Sequence, residues 1–356
     1  MYSPFRHVGS IFYKKRPIHL TFFVTGRCNL RCSYCFYLSR DGKDNAPELS
    51  VDEIEGVSSS MKDLLWLAFS GGEVFLRDDI VEITRIFYER NRPSIILFST
   101  NGLLTERIED AVGSILRICR KSTIVVKLSI DGPEEVNDRI RGDGCFKKTI
   151  KTYERLRRFI NEYPNFELGI NTVFCRENQD RMDELIEYVG RLDDIKTHTV
   201  SLIRGSVFNG RLKDIDTERY LRTIERMESL LRGKRASIYR FRGSRLKAAQ
   251  DILQRRIIYN TITRQRQLIP CYAGRLNIVL TETGDLYPCE SFDMRLGNVR
   301  EHDYDISKVL NTTGAKEIIK SIERDRCYCT HECYLMTNIL FNPRMYPSLI
   351  REYLRL

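Results

Sequence analysis

No run in the 356-residue chain approaches the roughly 18 consecutive apolar positions that a membrane-spanning helix requires. Integral membrane association is therefore not expected. The N-terminal stretch MYSPFRHVGSIFYKKRP has no apolar segment followed by a small-residue cleavage site, which argues against a secretory signal. Together these two absences point to a cytoplasmic protein. Internal repeats and low-complexity runs are missing as well, so repeat architectures are excluded. What remains is ordinary for a globular protein: 42% hydrophobic and 30% charged residues, in a chain long enough for one large domain and an appendage.

Cysteine is not scarce. Eleven are present, many for a compartment where disulfides are disfavoured, and clustered cysteines there more often hold metal or do chemistry. Cys28, Cys32 and Cys35 form a front group, and Cys271, Cys289, Cys327, Cys329 and Cys333 a back group. Cys119, Cys145 and Cys175 are scattered and read as small buried hydrophobes. The net charge of +10 is also localised: residues 204–266 hold 17 Lys and Arg against 6 Asp and Glu, and the rest is close to neutral. A localised excess says more about a partner than a uniform one.

From about 19 to 205, β-rich runs alternate with amphipathic stretches. Strands are expected at 19–25, 66–70, 94–99, 124–130, 166–174 and 197–203, with helical patterns between them and a capping box at Ser50 and Glu53. Such alternation gives a parallel sheet covered by helices. Six strands are too few for a closed eight-fold barrel, so the fold class is α/β, a partial (β/α)6 TIM-like barrel, with a small C-terminal α+β domain. The expected division is 1–205 for the barrel, 206–268 for a basic helical linker and 269–356 for the appendage. In parallel α/β folds, sites lie at the C-terminal ends of strands.

The first strand runs into Gly26-Arg27-Cys28-Asn29-Leu30-Arg31-Cys32-Ser33-Tyr34-Cys35, a C-x3-C-x2-C spacing on a loop. Three thiolates can ligate three irons of a [4Fe-4S] cube and leave the fourth open, as a catalytic cluster needs. A structural zinc would want a fourth ligand, and none lies close by in sequence. This loop, with Tyr34 at the aromatic position, resembles the radical S-adenosylmethionine (SAM) superfamily. The resemblance implies that the open iron binds the amino and carboxylate groups of SAM, whose reductive cleavage gives a 5′-deoxyadenosyl radical that abstracts substrate hydrogen. Cys28, Cys32 and Cys35 would be the catalytic ligands.

Further segments resemble the family's SAM contacts. Ser70-Gly71-Gly72-Glu73 looks like its GGE motif, although Val74 stands where Pro is frequent. Ser99 and Asn101 close the third strand, and Ser129 and Asp131 the fourth. Arg141 would suit the SAM carboxylate, and Asn171 and Ile203 would complete the adenosine pocket.

Cys271 and Cys289 frame an expected hairpin, 276–280 and 285–289, turning at Thr283-Gly284. With Cys327-Tyr328-Cys329-Thr330-His331-Glu332-Cys333 they resemble the SPASM appendage, or its shortened form, twitch. Five cysteines cannot fully ligate two clusters, so one auxiliary [4Fe-4S] cluster held by four of the five is expected, with either Cys327 or Cys329 spare. A structural zinc knuckle is the alternative.

Relatives of this type modify peptides, oxidise protein Cys or Ser, dehydrogenate sugars or rearrange nucleotides. The resemblance implies a radical SAM oxidoreductase acting on a peptide or a small anionic substrate, with flavodoxin or ferredoxin as electron donor. No methyltransferase cysteines or cobalamin domain are evident, and the 18 residues before the first strand are too few for a leader-peptide reader. The basic segment 204–266 either forms a floor for an anionic substrate or is a solvated linker. The tail 334–356 packs on the appendage or touches a membrane surface. A zinc-bearing nucleic-acid-binding module is the rival class, but no stacking platform interleaves the basic residues, so nucleic acid is not an expected partner.

Overall fold

Six parallel strands form where the alternation placed them: β1 His19–Phe23, β2 Trp66–Ser70, β3 Ile95–Thr100, β4 Thr123–Ser129, β5 Phe166–Phe174 and β6 Thr197–Leu202. The structure is a computed structural model, and it describes residues 1–39, 46–195, 197–234, 236 and 238–356. Helices connect successive strands, so each crossover lays a helix on the outer face. Ser50 and Glu53 do close a capping box: the Ser50 side chain accepts from the Glu53 amide at 3.2 Å, and the Glu53 carboxylate accepts from the Ser50 amide at 2.8 Å.

Side-chain alternation divides each strand between two environments. Leu20, Phe22, Leu67, Phe69, Ile96, Phe98, Val126 and Ile170 point to the helices and form the main core. Phe69 stacks on Phe98 with ring centroids 5.2 Å apart, and Phe87 meets Phe69 edge-on from its helix. Each such buried ring contributes about 1.5–3 kcal/mol. The opposite face carries Thr21, Ala68, Ser99, Lys127, Asn171 and Thr199, which line a cavity inside the barrel.

The C-terminal hairpin forms from β7 Asn277–Leu280 and β8 Asp285–Tyr287, followed by β9 Gly297–Asn298. It does not build a sheet of its own. β7 pairs in parallel with β1, from His19 opposite Asn277 to Phe22 opposite Leu280, and one sheet runs β6-β5-β4-β3-β2-β1-β7-β8-β9. The reason is the edge: without β7, the unpaired backbone of β1 would be open to any other chain.

The basic segment is helical at Thr217–Arg232 and Ser244–Arg264; Arg235, one of its cations, lies outside the described residues. The second helix packs against Thr217–Arg232, Glu332–Leu340 and the C-terminal helix Tyr346–Leu354. Its Gln250, Gln254 and Arg255 are buried, so it is no solvated spacer. Among the described residues no helix is long and apolar enough to cross a membrane.

Candidate functional site

The loop after β1 turns tightly enough to aim backbone amides at sulfur. Leu30 N–H donates to Cys28 Sγ at 3.4 Å, and Leu38 N–H to Cys35 Sγ at 3.3 Å. The three cysteines are free thiols, partly exposed, on the wall of the cavity. Burial pushes the Cys32 thiol up to about 12 and raises Cys28 too, and the neighbouring sulfurs add to both. Positive charge from bound iron would offset that penalty and hold the thiolates deprotonated. Among the described residues, no three His, Cys, Asp or Glu groups could hold a metal ion. Three free thiols on one short loop are the donor set that three irons of a [4Fe-4S] cube take.

The loop after β2 clamps this cysteine loop. Gly72 N–H donates to the Thr25 carbonyl at 2.7 Å, and Glu73 N–H to the Arg27 carbonyl at 2.8 Å. A Cβ on Gly72 would stand 1.9 Å from the Arg27 oxygen, and Gly71, at φ +131°, would put one 2.4 Å from that of Thr25. Here the glycines bring backbone onto the cysteine loop.

Glu73 is buried at the end of this loop. Its carboxylate accepts from Thr100 Oγ1 at 2.7 Å and from the Asn101 amide at 2.8 Å. Burial nonetheless raises its pKa, against the pull of those donors. Asn101 in turn donates to Asn29 Oδ1 at 2.7 Å, with its Nδ2 3.9 Å from Cys28 Sγ.

Gly71, Gly72, Glu73, Ser99, Asn101, Ser129, Arg141, Asn171, Ile203 and Tyr34 all line the one cavity that holds Cys28, Cys32 and Cys35. Its volume is about 300 Å³. Register explains part of this gathering, because Ser129 stands opposite Asn171 on neighbouring strands.

Asp131 lies behind the wall, fully buried. Its Oδ1 accepts from the Val173 amide at 2.8 Å, and its Oδ2 takes Tyr34 Oη and Arg141 Nε, each at 2.6 Å. With those oxygens committed, Asp131 brackets Arg141 and Tyr34.

The C-terminal cysteines stand across an aromatic wall from the first group. Phe23 packs on Tyr37 at 4.3 Å and on Phe292 at 5.2 Å, and Cys35, Cys271, Cys289, Cys327 and Cys333 pack against that same cluster. Burial pushes Cys271 up to about 11 and Cys329 to about 12; Cys289 and Cys327 add to both. Cys333 differs. Burial again dominates, but the charges it feels next are Glu290 and Arg204, and it lines the main cavity.

Of the cavity floor, Tyr239, Lys247, Asp251 and Arg255 belong to the basic segment that was read as a floor or a linker, whereas Lys127, Glu290 and Glu332 were missed. Lys127 gave a signal, a lone cation within the apolar strand Thr123–Ser129. Burial first, then the Lys247 charge, lowers its pKa to about 7. Cys119, Cys145 and Cys175 are buried, as small hydrophobes are.

Residues 22–189 match the radical SAM superfamily profile, and residues 271–334 match SPASM, an iron–sulfur cluster-binding domain. The chain is 29% identical over 302 residues to an AdoMet-dependent heme synthase of Methanosarcina barkeri, covering 81% of both chains. It is 25% identical over 318 residues to a cysteine-type anaerobic sulfatase-maturating enzyme of Clostridium perfringens, covering 83% of this chain and 80% of that one. A mycofactocin maturase of Mycolicibacterium smegmatis is 30% identical over 178 residues, a stretch spanning 49% of this chain and 42% of that protein. The fold resembles the solved structure of anSMEcpe with bound AdoMet, with a TM-score of 0.63, 19% identity and 96% coverage of both chains.

Proposed function

The chain is a radical SAM protein that uses a [4Fe-4S] cluster, SAM and an auxiliary iron–sulfur cluster, and on that premise we propose that it oxidises or crosslinks a peptide or protein side chain. When bound, the first cluster would supply the electron for reductive SAM cleavage; of the two hydrogen atoms the substrate then loses, one would go to 5′-deoxyadenosine and the other would leave as a proton, its electron passing to the auxiliary cluster. Cys28, Cys32 and Cys35 hold that cluster with one iron left open. Asn101, Ser129, Asn171 and Ile203 orient SAM along the strand ends, with Glu73 and Arg141 facing its ammonium and carboxylate. Asp131 is a positioning residue that fixes the Arg141 guanidinium. Cys271, Cys289, Cys327 and Cys329 hold the auxiliary cluster, and Cys333 belongs to the cavity wall. The electron donor is a flavodoxin or ferredoxin.

The observation that carries this reading is the single cavity on which the three cysteines and the strand-end polar residues converge. The peptide assignment draws support from the sulfatase-maturating relative, whose match extends over most of both chains. A second reading, an anionic small molecule, draws support from the heme synthase relative and the cations of the cavity. The test is anaerobic: reconstituted protein, SAM and a strong reductant, with a library of Cys- and Ser-containing peptides. We expect some peptides to accelerate 5′-deoxyadenosine formation and to lose two hydrogen atoms. Acceleration by anionic small molecules and by no peptide would favour the second reading.

A further inference from the structure

The floor of the cavity is crowded with charge, and nearly all of it is paired. Arg204 meets Glu290 at 2.5 Å, and Lys247 meets Asp251. The Lys127 ammonium donates to Thr199 Oγ1 at 3.3 Å and to Thr197, while Glu332 accepts from Ser201 Oγ at 2.5 Å. Arg255 is the exception, because Lys127 and Glu332 at least have hydroxyl partners and Arg255 has none among the described residues. Its side chain comes off helix Ser244–Arg264 onto the cavity and is only 8% exposed, yet among the described residues it has no ion pair. Its Nη1 is buried without a hydrogen-bond partner. Glu332 feels the Arg255 charge without pairing with it.

A buried guanidinium with no ion-paired or hydrogen-bonded partner is costly, and a fold that keeps one gains little in stability from it. Its forked donors suit a planar or tetrahedral oxyanion. We propose that Arg255 receives an oxyanion of the substrate, a carboxylate or a phosphate, so that the substrate enters with its anionic end on the floor and its remainder toward Ser129 and Asn171. This rests on the reading above that the cavity is the substrate site. Lys127 precedes Ser129 by two residues on one face of β4, so the floor lies about 6–7 Å beneath the strand ends.

The test needs neither SAM nor reductant, so its failure and the failure of the peptide reading are distinguishable. The reconstituted full chain is melted, followed by circular dichroism, in chloride, inorganic phosphate or N-acetylglutamate at equal ionic strength. A rise of about 2 °C or more over chloride is expected for at least one oxyanion. The rise should vanish in Arg255→Met and survive in part in Arg255→Lys. A rise with N-acetylglutamate alone supports a carboxylate-bearing substrate; a rise with phosphate alone supports a phosphorylated one. Without added anion, Arg255→Met should melt no lower than wild type, because an unpaired charge has been removed. An equal rise in Arg255→Met, no rise in wild type, or a lower melting point of the anion-free variant would overturn the proposal. If Arg255→Met does not fold, phenylglyoxal labelling of wild type decides: protection of Arg255 by the anion supports the proposal, and equal labelling overturns it.

Discussion

Gly72 has no room for a side chain. A Cβ there would meet the backbone oxygen of Arg27 at 1.9 Å, and no rotamer change can relieve a backbone contact. Gly72→Ala should therefore displace the cysteine loop. We expect SAM cleavage to fall on the order of a hundredfold, with loss of iron from the N-terminal site in metal analysis. At the other end, Cys329→Ala should lose auxiliary iron while Cys333→Ala keeps it, measured by iron content and absorbance near 400 nm. Loss in both variants alike would return Cys333 to the ligand set. The thiol spacing 28-32-35 was legible in the sequence because ligands of one cluster sit on one short loop. The bracket of Tyr34, Asp131 and Arg141 was not, because 97 residues separate Tyr34 from Asp131 and only folding brings them together.

At the scale of elements, the helix Val51–Ser60 is tied to the C-terminal region through Glu53. Arg300 Nε donates to Glu53 at 2.7 Å, and Tyr304 Oη donates at 3.1 Å. The Arg300 hydrogen bond, above all, holds the Glu53 carboxyl down to about 2. A pKa depressed in the folded state gives stability that is present above the unfolded carboxylate value and is lost as the pH falls through the folded one. Glu53→Gln should cost about 1–2 kcal/mol at neutral pH. It should also flatten the fall in stability between roughly pH 5 and pH 2, as urea titrations across that range would show. An unchanged acid limb would mean that Arg300 contributes nothing.

The strands were readable from alternation, and the hairpin from Thr283-Gly284. The pairing of β7 with β1 was hidden, since a four-residue apolar strand does not announce its neighbour. The inward face of Ser244–Arg264 was hidden for another reason: its buried residues, from Ala248 to Thr261, include Gln250, Gln254 and Arg255, which leave no apolar stripe to read.

Across the whole molecule, one sheet carries both cysteine groups. The cysteine loop leaves the C-terminal end of β1, and the hairpin that follows Cys271 extends the same sheet from β1's other edge. The aromatic wall of Phe23, Tyr37 and Phe292 therefore stands beside both regions of this sheet, and Phe23 and Tyr37 also line the cavity. The central claim is that the first group alone performs SAM cleavage. The most direct measurement is 5′-deoxyadenosine formation, under anaerobic reduction, by wild type and by the variant with Cys28, Cys32 and Cys35 all replaced by Ala. The account predicts time-dependent product from wild type and none from the variant, which keeps its auxiliary iron. Product at the wild-type rate from the variant would contradict it.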